Sequence, residues 1–204
     1  MNFLKNIEHV YMKKALGILF LISASLLIAG CSANGTEAEK TVDKSEQAIR
    51  AVIEKEFNGP DEKYKALWDA AMEAQISDKY SDDYEAYLES PEYLALMSYT
   101  EETYASYFTE NGYDNFINQA PAFMYSTFDR NYKLNTSTIE IVQSEQGTTL
   151  YDFTFQVEYT DEKGESSQFN FEGNAIAPEE GKIGKIEYLD GYEDGLFQEL
   201  SNNE

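Results

Sequence analysis

Histidine and cysteine are almost missing from this chain, which holds one of each, His9 and Cys31. Residues 32–204 therefore have neither an imidazole nor a thiol. That removes Ser-His-Asp and Cys-His catalysis, histidine-ligated zinc and disulfide staples from them. Chemistry in that stretch, if there is any, rests on carboxylates, Tyr, Lys, Arg or a hard cation. Positive charge is scarce as well: 15 Lys and Arg stand against 38 Asp and Glu, a net charge of −23. Nucleic acid needs a basic patch, so this balance argues against it. Flat docking on anionic lipid is disfavoured because like charges repel within a Debye length. Solubility accounts for such a surface, and a partner with a basic face is the sharper alternative. Only one long apolar run is present, residues 15–29, about 15 residues. A membrane-spanning helix needs roughly 20.

That run has a direction. Lys13 and Lys14 precede it, and small residues lead from it into Cys31. A positive flank, a short apolar core and a small-residue exit describe a secretory signal peptide. The closing Ile28-Ala29-Gly30-Cys31 resembles the lipobox of bacterial lipoproteins. The resemblance implies a diacylated Cys31 thiol, palmitate-type chains, and cleavage before Cys31. It also implies a lipid-anchored location on the extracytoplasmic face of the cell membrane. Two acyl chains anchor stably where one holds only marginally. Met12-Lys13-Lys14 looks like a typical lipoprotein start, so translation from Met12 rather than Met1 is an open alternative.

The expected organisation is a signal peptide over 1–30, a tether over 31–40 and one domain over 41–204. Loss of 1–30, which carry Lys5, Glu8, Lys13 and Lys14, takes the charge from −23 to −25 and leaves 174 residues. That is enough for one core. Residues 32–40 (SANGTEAEK) are small and polar, as a flexible tether requires.

Ile49, Val52, Ile53 and Phe57 keep helical spacing, and Asn58-Gly59-Pro60 stops that helix with Asn and Gly suited to a left-handed cap. Tyr64, Leu67, Trp68, Ala71 and Met72 repeat the spacing, so a helical hairpin is expected. Ser90-Pro91-Glu92 starts another helix. Thr100 with Glu101 and Glu102 predicts a further start, with Tyr104, Tyr107 and Phe108 as its stripe and Glu110-Asn111-Gly112 as its end. A short helix over 114–119 is stopped by Pro121. After Arg130 the period becomes 2. Strands are expected over 136–144, 150–159, around Phe169–Ala175, and over 182–190, with turns at Glu145-Gln146-Gly147, Asp161-Glu162-Lys163-Gly164 and Pro178-Glu179-Glu180-Gly181. The fold class is α+β: N-terminal helices on a four-stranded antiparallel meander with one apolar and one wet face.

A helical hairpin, irregular middle helices and a final meander ending in Gly181-Lys182-Ile183-Gly184-Lys185-Ile186-Glu187-Tyr188 resemble the nuclear transport factor two-like, cystatin-like cone. The likeness covers roughly 41–200. It implies a pocket between sheet and helices, lined by Tyr151, Phe153, Phe155, Phe169, Phe171 and Trp68. It does not imply an activity, since that superfamily holds isomerases, cyclases, dehydratases and non-catalytic modules. Strand parity turns Asp152, Glu158 and Glu172 outward and leaves no carboxylate, histidine or lysine on the inward face of these two strands. A locally reversed parity at a bulge is the exception.

Two other stretches stand out. Tyr80, Tyr84, Tyr87, Tyr93, Tyr99, Tyr104 and Tyr107, interleaved with Asp78, Asp82, Asp83 and Glu85, suit a contact surface for a basic or carbohydrate-bearing partner. Asp190-Gly191-Tyr192-Glu193-Asp194-Gly195 has the look of a calcium loop. However, Tyr192 stands at its third position and Ser201 at its twelfth, so it does not match an EF-hand. No cofactor and no metal is implied. The leading expectation is a membrane-tethered, non-catalytic module binding a protein, a peptidoglycan fragment or a small apolar ligand. A cone-type isomerase or lyase working through carboxylate or Tyr groups is the alternative, and burial of Asp152 or a helix Glu would favour it.

Overall fold

The computed structural model describes residues 43–119, 123–189 and 195–201. The expected signal peptide, Cys31, the tether, Pro121 and most of the 190–195 loop lie outside them. The described residues form an α+β fold of six α-helices and one four-stranded antiparallel sheet.

Helix α1 (Lys44–Phe57) begins where Asp43 accepts the amides of Ser45 and Glu46 at 2.8 and 3.1 Å. Such a cap supplies partners for amides that have none inside the helix. Its buried stripe is Ser45, Ala48, Ile49, Val52, Ile53, Glu56 and Phe57. The helix stops at Asn58, which is extended rather than left-handed. Gly59 then pairs with Leu134. Helix α2 (Glu62–Ile76) is capped by Asp61 through the Tyr64 amide at 2.8 Å. It packs chiefly against α4 (Pro91–Tyr104), while short α3 (Tyr84–Leu88) touches both. The expected α1–α2 hairpin is therefore replaced. Helix α1 is committed to the sheet, and α2 finds its partner later in the chain.

Two expected boundaries are corrected. Thr100 does not start a helix, because it lies inside α4 with its hydroxyl donating to the Leu96 carbonyl at 3.0 Å. Bonding four residues back satisfies a mid-helix Thr, and no Gly or Pro interrupts the turn. Glu110-Asn111-Gly112 does not end a helix but opens α5 (Glu110–Gln119), after a 3-10 turn at Ala105–Tyr107. Thr109 accepts the Gly112 amide at 3.1 Å. A Cβ on Gly112 would stand 2.4 Å from the Ile183 carbonyl oxygen. Close approach, not a left-handed cap, selects glycine there.

The sheet runs β1 (Tyr132–Gln143), β2 (Leu150–Asp161), β3 (Ser166–Ile176) and β4 (Lys185–Tyr188), in the order β1-β2-β3-β4. The meander matches the expected order, with an earlier start for the first strand and a shorter last one. A register shift between Ser137 and Glu140, with Thr138 at φ 51°, makes a bulge in β1. On β2, Tyr151, Phe153, Phe155, Val157 and Tyr159 are buried, and Asp152 is exposed. Phe57 of α1 lies against this face, its ring centroid 4.8 Å from both Phe155 and Phe171 and 5.2 Å from Tyr188. Burying one such side chain contributes about 2–3 kcal/mol. Helix α6 (Leu196–Ser201) adds Leu196 and Leu200 to the core.

Candidate functional site

Glu56 is the charged residue of the α1 stripe. It follows Ile49, Val52 and Ile53 by seven, four and three positions, so helical periodicity aims it at the core. It is 5% exposed. Its Oε1 accepts the Tyr104 hydroxyl and the Phe123 amide, the latter at 3.1 Å. Phe123 has φ 59° and ψ 27°, a left-handed conformation that a bulky residue adopts only under constraint. Its ring stacks on Tyr64 at 4.4 Å and on Tyr99 at 5.7 Å, and meets Tyr104 at 5.0 Å. Tyr99 in turn donates to Asp61 at 2.8 Å. The buried carboxyl thus ties α1, α4 and the segment entering β1 to one point.

Burial pushes the Glu56 carboxyl up to about 7, against the opposing pull of the Tyr104 and Phe123 hydrogen bonds. Burial, then the Glu56 charge, raises Tyr104 and Tyr188 above the ordinary phenol range. The Tyr188 hydroxyl is buried without a hydrogen-bond partner among the described residues. A carboxyl that titrates near neutrality suits proton transfer in principle. Here the carboxyl lies against the Tyr104 and Phe123 pair, its Oε1 taken up by their hydroxyl and amide.

The residues expected to line a pocket separate into groups. Phe153, Phe155 and Phe171 come together: Phe155 stacks on Phe171 at 5.0 Å, and Phe153 lies 5.7 Å from Tyr188. Gly173 lets the Phe153 ring sit where a Cβ would be, 2.4 Å away. Tyr151 donates to Asp43 at 3.0 Å, joining β2 to the α1 cap. Half-buried Phe169 lies beside Gly195. Trp68, also half-buried, stacks on Tyr64 at 6.2 Å on α2. Inward-facing β2 carries no carboxylate, in keeping with strand parity. The acid comes from the helix opposite, and its in-phase spacing on the α1 stripe was the signal for it.

The tyrosine-rich segment divides too. Tyr87 and Tyr104 are buried, Tyr84 is exposed, and Tyr80, Tyr93, Tyr99 and Tyr107 are half-buried. An open cleft of about 440 Å³ lies between Asp129, Arg130, Asp161, Glu162 and Glu199. Arg130 there donates to the Glu199 carbonyl at 2.6 Å, capping α6. Among the described residues, no group of three or more His, Cys, Asp or Glu is placed to hold a metal ion, and no helix is long and apolar enough to cross a membrane. No family model, curated protein or solved structure matches the chain.

Proposed function

We propose that this chain is a lipoprotein held by lipid on Cys31 at the extracytoplasmic face of a membrane, and that its α+β domain is a non-catalytic binding module. The lipobox-like residues 28–31 support the anchor, and the cystatin-like cone is the arrangement we assign to sheet and α1. One observation carries the non-catalytic reading: the aromatic face of the sheet is occupied by Phe57, in ring contact with Phe155, Phe171 and Tyr188. That part of the interior is spent on packing, so recognition falls to the outside.

The test has two arms. Full-length protein expressed in a bacterial host is labelled with radioactive palmitate and fractionated. Label and membrane association are expected in the parent and absent in Cys31→Ala. Unlabelled parent protein would end the lipoprotein reading. Native mass spectrometry after incubation with extract of the source cells then reads small-molecule retention. The apo-mass is expected, and a retained metabolite would overturn a purely surface-binding role.

A second reading has its own observation, the burial of Glu56 beside Tyr104 and Tyr188. In it, Glu56 is the general acid–base of an isomerase or lyase. It ranks second because Oε1 already accepts from Tyr104 and Phe123, within the cluster that the Phe123 ring helps to form. Conversion of a retained metabolite, abolished by Glu56→Gln, would promote it.

A further inference from the structure

Helix α4 has an outward face that the fold leaves uncovered. Pro91, Leu94, Ala95 and Ser98 follow one another at i, i+3, i+4 and i+7, all exposed and none charged, with Leu94 53% exposed. The exposed positions of α1 are Lys44, Gln47 and Glu54, and on α2 exposed Ala66 and Ala70 are interspersed with Glu62, Lys63, Asp69 and Glu73. A solvated helix face carries charge in that way. From Pro91 to Ser98 the α4 face does not, and its charge begins only at exposed Glu101 and Glu102, one turn further on.

The same end of the helix pair carries two further exposed apolar side chains. The chain leaves α2, forms α3 and returns along α4, so the end of α2, α3 and the start of α4 share one end. Ile76 there is 80% exposed and Tyr84 61%. Around them, residues 76–102 hold eight acidic side chains and one basic one, Lys79. Lys79 is engaged by Tyr80, its ammonium 4.4 Å from the ring centroid.

We infer that the outward face of α4, with Ile76 and Tyr84 at its end, docks a Lys/Arg-rich protein segment carrying apolar anchors. An uncharged centre inside an acidic rim is the complement of such a segment. A second copy of this chain would set acidic rim against acidic rim, and an anionic lipid surface or a nucleic acid would meet the same repulsion. The inference rests on the binding-module reading above and names the partner's chemistry.

The experiment is site-specific photocrosslinking of the full-length protein in the cells that make it. A benzophenone side chain replaces Ile76, Leu94, Val142 or Leu189, all of which are exposed. Capture is expected from positions 76 and 94 and not from 142, on the sheet, or 189. The captured peptide, identified by mass spectrometry, is expected to carry net positive charge. Replacing Asp82, Glu85 and Glu89 by Asn, Gln and Gln should reduce the yield at position 94 at least tenfold, while leaving Asp83, which caps α3, intact.

Crosslinks from Leu94 to a second copy of this chain, to lipid alone, or to a neutral or acidic segment would each overturn the inference. So would a yield indifferent to the three acid replacements. Protein capture confined to 142 or 189 would sink this surface and leave the binding-module reading standing. No protein captured at any of the four, together with a metabolite converted through Glu56, would sink both.

Discussion

Helices α1 and α4 are each 14 residues long, and they solve opposite problems. Helix α1 has one buried stripe and one polar face, and its stripe is covered by the sheet together with Tyr104, Phe123 and Tyr125. Its one buried acid is held by Tyr104 and the Phe123 amide. Helix α4 buries Leu96, Thr100 and Tyr104 yet shows Leu94 and Ala95 to solvent. The difference separates two uses of apolar surface. On α1 it is bound within the chain and stabilises it, whereas on α4 part of it lies outside the core, where we place recognition.

Substitutions on the two helices should therefore behave differently. The largest effect is expected for Phe57→Ala, which removes the ring meeting Phe155, Phe171 and Tyr188 and should cost about 3–5 kcal/mol in urea unfolding. A cost under about 1 kcal/mol would mean that α1 is not the helix closing the sheet.

Glu56 adds a pH signature. Its folded value of about 7 lies above the ordinary 4.5, so the folded chain binds a proton that the unfolded chain has released. The stabilisation is complete below pH 4.5 and is lost as pH rises to 7. At about 1.4 kcal/mol per pH unit, the total is on the order of 3 kcal/mol. Glu56→Gln stays neutral and keeps an acceptor for Tyr104 and Phe123. Its stability should lack this fall and exceed the parent's at pH 8 by a similar order. Parallel pH profiles for the two proteins would remove the buried acid from the account.

Gly112→Ala comes next, at about 1–3 kcal/mol, because the added methyl meets the Ile183 carbonyl. A neutral or stabilising outcome would return Gly112 to an ordinary helix position. Smallest is Leu94→Ala, expected within about 0.5 kcal/mol of the parent. A large loss there would show that α4's outer face does structural work after all, and would weaken the contrast with α1.

Much of the sheet was legible because period-2 alternation over Tyr151–Tyr159 admits only one set of inward side chains, and the three expected turns separate the strands. Helix starts with a side-chain cap, such as Ser90-Pro91, were legible for the same local reason. Thr100 and Gly112 misled because each has two uses. A Thr caps a helix or bonds back within one, and a Gly ends a helix or admits a neighbouring backbone. The neighbour that decides, Leu96 in one case and Ile183 in the other, is not read from the local motif. Glu56 was within reach, in phase with Ile49, Val52 and Ile53, but its spacing alone does not distinguish a buried acid from one at the edge of a stripe.

By itself the sequence determined the class of the fold, the inward face of the meander and the scarcity of histidine and cysteine, since these follow from composition and from the 3.6- and 2-residue periods. Only the tertiary structure decided that α2 pairs with α4 instead of α1, that Phe57 fills the sheet face, and that Tyr104 and Phe123 converge on Glu56. Those outcomes join residues as far apart as Phe57 and Tyr188, 131 positions. They depend on which surfaces fit once the whole core has closed, and no local period encodes that.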